Sequence, residues 1–499
     1  MSCAYQTSTQ VEHDNTLDRL VNHLTNMQND VMGAYIPLPL WLFLLMAVFA
    51  VLGLWWGLAA PLLSRALYLR RQRATRRLDD SLDFGLPRYA LAGRAEWLDR
   101  LLNDSEVVAA IAAHASTTGQ PLEDVQARAH RVAQEIVPSF NMQLYFRLGY
   151  WVGRWALRLM YWIEVRSVDA DALARIKRDA CVIIVSNHRS NLDPFMLIYM
   201  ASRRSAVSYS GGEWALAWPF RHLLHALGFY ILRRESGGDT LYRTLLERYV
   251  FLAVSRCVPQ GLFLEGGLSR DGRMQPLKLG LLNYLLKAHG EGECRDIMFL
   301  PVGLNYDRIP EDRTLLAHQA RGFRGKNRFF ASLSFLRFAV TVTPRMLGLS
   351  KPFGIAAANF GRPVSLSQWQ ADTGETLDDV EDSVRRTRIA HLGDMLCKEI
   401  RQLVPILPIS LLAHVFLCSE HELMTELDLK RSALDLAAEL RDQGRSIFLH
   451  QPTEDMDLTQ ALYILLKRGH VDRTTDGRLR VIPRGRAMLD YYRNVILDG

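Results

Sequence analysis

The sequence predicts an α/β core placed behind a single membrane-spanning helix. Two observations lead there. From about residue 166, short apolar runs alternate with longer helical stretches, and near the N-terminus one long apolar segment carries no charge at all. Strand and helix in alternation argue for an α/β domain. With 499 residues, 49% of them apolar, the chain has material for two or three domains and at least one large core.

Taken in order, residues 1–34 read as an extramembrane tail holding Glu12, Asp14, Asp18 and Asp30 against Arg19 alone up to residue 30. No charged residue occurs from Val31 to Ser64, and the apolar run 38–63 exceeds the ~20 residues that cross a bilayer. Six arginines and no acid follow between Arg65 and Arg77. A cleaved leader carries its positive charge before the apolar run. Residues 35–64 are therefore expected to be an anchor rather than a leader or a buried core helix. The positive-inside rule leaves the N-terminus outside and the rest of the chain in the cytoplasm.

Residues 65–165 read as a helical region. "SEVVAAIAAHA" and "PLEDVQARAHRVAQEIV" have helical spacing and are separated by the breaker "STTGQP". In 144–165, Arg147, Arg154 and Arg158 fall on roughly one face among Tyr, Trp and Leu. That suits a helix lying in the headgroup region of a membrane; a domain-packing helix is the alternative. In 166–405 the runs 181–185, 228–232, 261–265, 297–304 and 354–361 read as strands, with helices at 192–202 and 240–256. Residues 406–499 turn mainly helical and close on a helix followed by a hairpin, a winged-helix pattern. It lacks the second basic helix that DNA recognition needs.

Net charge is +7 and the pI about 9.1, which fits an anionic partner: a membrane face, a phosphorylated substrate or nucleic acid. The six cysteines are scattered and form no CxxC pair. That argues against a disulfide framework or a zinc site and for a reducing compartment.

"VSNHRSNLDPFM" (185–196) sets His188 five positions before Asp193. The same H-x4-D spacing occurs at His13/Asp18 and His450/Asp455, so spacing alone decides nothing. Only His188 leaves a buried strand and enters a helix opened by Pro194, which is where α/β folds place their sites. A histidine there can take a proton from a hydroxyl, and an aspartate beside it can fix the tautomer. Capping of the following helix is the structural alternative for Asp193. The other strand ends add Arg233 and Arg234, then Glu265, Gly266, Ser269, Arg270 and Lys278. Arginine suits phosphate because its planar fork binds oxygens bidentately.

"NHRSNLD", "GFYILRR", "FLEGGLSRDGR" and "FLPVGLNYD" stand in the order of the four blocks of the glycerolipid acyltransferases. The chain resembles the membrane-bound glycerol-3-phosphate acyltransferases over roughly 100–499, with "NFGRPVSL" and "YYRN" extending the likeness. The resemblance implies a domain at 166–405 with a central mixed sheet flanked by helices. It implies acyl transfer from acyl-CoA or acyl-carrier-protein to the hydroxyl of a phosphorylated glycerol, in the bacterial inner membrane. By the family pattern His188 is the general base and Asp193 its orienting partner. Arg233, Arg234, Glu265, Gly266, Ser269, Arg270 and Lys278 match blocks associated with acceptor binding. Membrane lipids are the expected surroundings; no metal, cofactor or nucleic acid is called for. No G-x-S-x-G elbow offers a serine nucleophile, in keeping with direct transfer. The chain departs from the common E-G-G/T-R-S block by placing Leu268 where an arginine stands. That keeps a lysophosphatidate acyltransferase open as the rival within the same chemistry. A silent membrane scaffold and a tethered DNA-binding regulator are the rivals from other classes.

Overall fold

The computed structural model describes residues 93–141, 144–149, 157–169, 179–201, 207–212, 220–233, 238–311, 353–450 and 453–498, with a few isolated positions besides. The chain divides into two units, Met1–Arg76 and Arg77–Gly499, and the elements below belong to the second. The predicted span at 35–64 lies outside the described residues, Ala47 excepted, and so does Arg234. Among the described residues no helix is long and apolar enough to cross a membrane.

From residue 93 onward the described residues open with three helices, α1 (Arg94–Leu102), α2 (Ser105–Thr118) and α3 (Leu122–Ile136). Asp104 caps α2 by accepting from the Glu106 amide, and Gly119 ends it in the left-handed region. Each buries one apolar stripe, such as Val125, Ala129, Val132 and Ile136 of α3.

Among the described residues the sheet has eight strands: β1 (Trp162–Ser167), β2 (Ala180–Ser186), β3 (Ser208–Gly212), β4 (Phe229–Leu232), β5 (Gln260–Phe263), β6 (Asp296–Tyr306), β7 (Ile355–Phe360) and β8 (Val364–Ser365). Its order is β1-β7-β6-β2-β5-β3-β4, with β8 also on β6. Pairing is parallel except where β6 meets β7 and β8, so the sheet is mixed, as expected. β6 pairs with β7 from Val302 to Tyr306 and with β8 at Met298 and Phe299. Pro301, which has no N–H to give, falls in the gap between the two partners.

The helix expected at 144–165 does not run its length. Leu144–Gly149 is helical, but Trp162–Ser167 is β1, paired in parallel with Ile355–Phe360. The sheet thus starts four residues before the expected boundary at 166. Arginines and aromatics at helical spacing gave no sign of an edge strand whose partner lies almost two hundred residues away. β3, with sequence SYSGG, has too few apolar residues to announce itself.

Helices cover both faces of the sheet. On β2, Cys181, Ile183 and Val185 join one core with α6 (Thr240–Val254), α7 (Leu279–Leu286) and α9 (Asp382–Leu403). Val182 and Ile184 join the other with α4 (Asp193–Ala201) and α5 (Phe220–Ala226). Burial on two faces is why these strands read as unbroken apolar runs. A further short helix, α8 (Leu366–Thr373), follows β8.

The C-terminal region holds α10 (Pro408–Cys418), α11 (Glu426–Asp442), α12 (Glu454–Arg468), the hairpin β9 (Val471–Arg473) and β10 (Leu479–Val481), and α13 (Arg486–Leu497). Met424, between α10 and α11, forms an isolated bridge with Leu479. The helix followed by a hairpin expected at the C-terminus is present as α12, β9 and β10. Glu454, Asp455 and Asp457 occupy the first turn of α12. Arg473, Arg478 and Arg480 of the hairpin pair with Glu426, Asp476 and Asp472.

Candidate active site

β5, β2 and β6 are parallel neighbours, so their C-terminal ends open on one edge of the sheet. Three loops meet there: 187–192 after β2, 264–278 after β5, and 307–311 after β6. The site expected at strand ends is assembled from these loops.

His188 Nδ1 lies 2.9 Å from Asp193 Oδ2. Asp193 is fully buried and the His188 side chain 16% exposed. The same Oδ2 accepts from the amides of Arg189 (2.7 Å) and Ser190 (3.0 Å), and Oδ1 accepts from the Tyr306 hydroxyl (2.7 Å). An N-cap would accept from amides two or three residues further on; the Asp193 bonds run backwards, into the loop that carries His188. Burial first, and the Asp193 carboxylate next, push the Tyr306 hydroxyl well above its ordinary pKa, so it serves as a donor. The His188 ring stacks on Phe263 with centroids 4.1 Å apart. With Nδ1–H engaged by a carboxylate, Nε2 is the nitrogen left to take a proton.

Glu265 and Ser269 are brought to this loop, but through its backbone. Glu265 Oε1 accepts from the His188 amide at 2.8 Å and Oε2 from the Gln275 amide at 2.8 Å. Burial raises its carboxyl to about 7 against these two amide bonds. The Ser269 amide donates to the His188 carbonyl at 2.7 Å. Ser269 Oγ donates to the Arg273 carbonyl and accepts from the Gly272 amide. Gly266 sits at φ +62°, where a side chain is strained and a Cβ would meet Lys278 Cγ.

Among the matched cations, Arg270 and Lys278 are exposed, as is Arg273 nearby. Arg233 is held elsewhere: its guanidinium grips Glu135 of α3 with bonds of 3.0 and 2.6 Å and lies over the ring of Tyr242. Leu268, the departure from the family pattern, is half-buried against the core.

Residues without a sequence-level role complete the site. Glu311 accepts from Ser190 Oγ (2.9 Å) and from Asn191 N and Nδ2 (3.1 Å each). Buried Arg189 donates to the Gly272 carbonyl and stacks on Tyr491 of α13. Asn494 Nδ2 donates to the Asp271 carbonyl, and Asp498 accepts from the Met274 amide. A narrow pocket lies behind the loops, with Arg189, Glu265, Arg273, Arg401 and Asp498 among its walls; His188 is not one of them. Tyr306 and Tyr491 stand within quoted blocks, "FLPVGLNYD" and "YYRN", but nothing in one dimension shows where they point. The other spacing matches do not repeat the pair. His450 bonds Asp457 and Glu164 rather than Asp455, and His13 lies outside the described residues.

Residues 167–305 match the acyltransferase family model, and residues 346–498 match the model of the glycerol-3-phosphate acyltransferase C-terminal region. Two regions of the chain thus match acyltransferase models, the second of them the C-terminal region of glycerol-3-phosphate acyltransferases. The chain is similar to the glycerol-3-phosphate acyltransferase of Aeromonas hydrophila, 26% identical over 416 residues, 80% of this chain and 49% of that protein. The enzyme of that name from Pseudomonas putida is 28% identical over 411 residues, 80% of this chain and 48% of that protein. The chain thus spans about half the length of the curated relatives it matches. A solved 1-acyl-sn-glycerophosphate acyltransferase from Thermotoga maritima shares 14% identity at a TM-score of 0.30, covering 52% of this chain and 79% of that one. So distant a likeness carries no argument about the site. Within the family match, the first model takes in both members of the His188–Asp193 pair, and the second takes in the α13 residues that hold the loop after β5.

Proposed function

We propose that this chain transfers a fatty acyl group from an acyl thioester, acyl-CoA or acyl-carrier-protein, to the hydroxyl of glycerol-3-phosphate. The observation that carries the reading is the closed His188–Asp193 pair, seated at the end of β2 with Nε2 left over. The acceptor hydroxyl attacks the thioester carbonyl as His188 Nε2 takes its proton. The tetrahedral intermediate collapses, the thiolate leaves, and the imidazolium returns the proton to it. Asp193 holds the ring and offsets the charge that forms on it.

The acceptor phosphate falls to the exposed cations of the loop after β5, Arg270 and Lys278, with Arg273 beside them. Glu265 and Ser269 use their polar atoms to hold that loop against His188. The family relatives' printed name supports glycerol-3-phosphate as acceptor. Residues 35–64 would anchor the chain with the catalytic domain on the cytoplasmic side, where acyl thioesters are made.

The deciding experiment offers labelled acyl-CoA with glycerol-3-phosphate and with lysophosphatidate in separate reactions. Preference for glycerol-3-phosphate, abolished in His188→Ala, is the expected result. Selective use of lysophosphatidate would move the reading to the rival enzyme, and an active His188→Ala would end the mechanism.

A further inference from the structure

We propose that Tyr306 and Glu311 are positioning residues that clamp the His188 loop and set the orientation of the Asp193 carboxylate, an inference that rests on the acyl-transfer reading above. β2 and β6 run parallel in register, Ser186 opposite Val302. β6 continues four residues past the end of β2, so it lies alongside the loop as the loop leaves the sheet. Strand alternation sends Leu304 and Tyr306 to one side. Asn305, on the other, donates to the Pro405 carbonyl.

The loop is tied to β6 and its extension at successive points. Asn187 exchanges two hydrogen bonds with the backbone of Leu304, at 2.8 and 2.9 Å. Tyr306 takes the far oxygen of Asp193, and Glu311 takes the side chains of Ser190 and Asn191 with one amide. Asp193 Oδ2 carries three donors while Oδ1 carries the Tyr306 hydroxyl. The two oxygens are chemically equivalent, and a carboxylate can turn about its Cβ–Cγ bond. The three donors hold one oxygen toward the histidine loop, and the Tyr306 hydroxyl holds the other, so the plane of the carboxylate is fixed at both ends. Without it a buried oxygen has lost its donor, and the carboxylate is held at one oxygen alone, so its plane can tilt away from the histidine.

Neither residue touches the reacting atoms in this arrangement. Both act through the pair that does. The clamp also gives the fourth block a task distinct from acceptor binding: it holds the first block in register.

The test is a double-mutant cycle on the full-length protein in membranes, with kcat and both KM values measured. Tyr306→Phe is expected to lower kcat about tenfold or more, with both KM values within about twofold. In an Asp193→Asn background the same change should cost less than about threefold, because both act through one carboxylate. Glu311→Gln should lower kcat by a smaller factor, and its thermal midpoint should stay near wild type. A purely structural role predicts losses that multiply in the double variant, and that result overturns the clamp, as does full activity of Tyr306→Phe. A second readout needs no acceptor. Carbethoxylation of His188 by diethyl pyrocarbonate, followed by mass spectrometry, should run at least about threefold faster in Tyr306→Phe, with exposed His222 and His421 unchanged. An unchanged His188 rate overturns the clamp even where wild type acylates neither acceptor, an outcome that would sink only the acyl-transfer reading.

Discussion

The Arg189 guanidinium lies 4.7 Å above the ring of Tyr491 and donates to the Gly272 carbonyl at 2.9 Å. The first residue after the candidate base is thereby joined to the last helix of the chain. At Gly272, φ is +88° and a Cβ would stand 2.0 Å from the Tyr491 carbonyl oxygen. Only glycine lets α13 approach so closely. The C-terminal region is in this way part of the site's framework.

From that contact follows a prediction about the loop. Asn494→Leu removes the bond to the Asp271 carbonyl and should raise KM for the phosphorylated acceptor about threefold to tenfold. KM for the acyl donor should stay constant. Tyr491→Phe is the control, because the Tyr491 hydroxyl makes no hydrogen bond among the described residues. If steady-state kinetics of Asn494→Leu match wild type, α13 supports the fold without tuning the loop.

Arg270 and Arg233 should separate cleanly. Arg270 is exposed, and its loss should raise acceptor KM roughly ten- to a hundredfold, the cost of a charge-assisted contact of about 1.5–3 kcal/mol. Arg233 is engaged with Glu135. Arg233→Ala and Glu135→Gln should therefore resemble each other, with a small loss of thermal stability and little change in KM. An acceptor KM that rises in Arg233→Ala but not in Glu135→Gln would return Arg233 to the substrate.

Leu268→Arg should act on folding rather than on acceptor choice. Leu268 packs against the core, and a guanidinium forced there loses apolar burial and its own hydration. A loss of thermal stability with an unchanged ratio of glycerol-3-phosphate to lysophosphatidate use is expected. Selective damage to lysophosphatidate acylation would instead mean that this side chain lines a lipid path.

The contributions of Glu265 and Asp307 to stability should fall as pH rises from about 4 to about 7. Burial raises both Glu265 and Asp307 to about 7 against the amide bonds each accepts. Between their unfolded and folded pKa values the native state binds more protons than the unfolded chain. Each group's contribution is thus fully present below its unfolded pKa and lost as pH passes the folded one, by at most about 1.4 kcal/mol per unit. Asp307→Asn should flatten the curve of unfolding midpoint against pH. A curve of wild-type slope in that variant would show that Asp307 does not titrate in this range.

Much of this protein is legible in one dimension. The strands at 181–185, 228–232, 297–304 and 354–361 announce themselves because burial on both faces demands unbroken apolar runs, and such runs survive in any reading of the sequence. The His188–Asp193 pair is also legible, since five residues span one turn between a strand and a helix, and local spacing fixes what can touch. What lies far apart in sequence was decided by the sheet. The register of β6 against β2 brought Tyr306 and Glu311 to residues more than a hundred positions earlier. The same packing sent Arg233 to Glu135, away from the role its motif suggests. Cys181 and Cys294 are free thiols that donate to the Val258 and Asp296 carbonyls, contacts that no spacing announces. Sequence periodicity records which face of an element is buried. It does not record against which neighbour, because that depends on strand order and register, which only the assembled core selects.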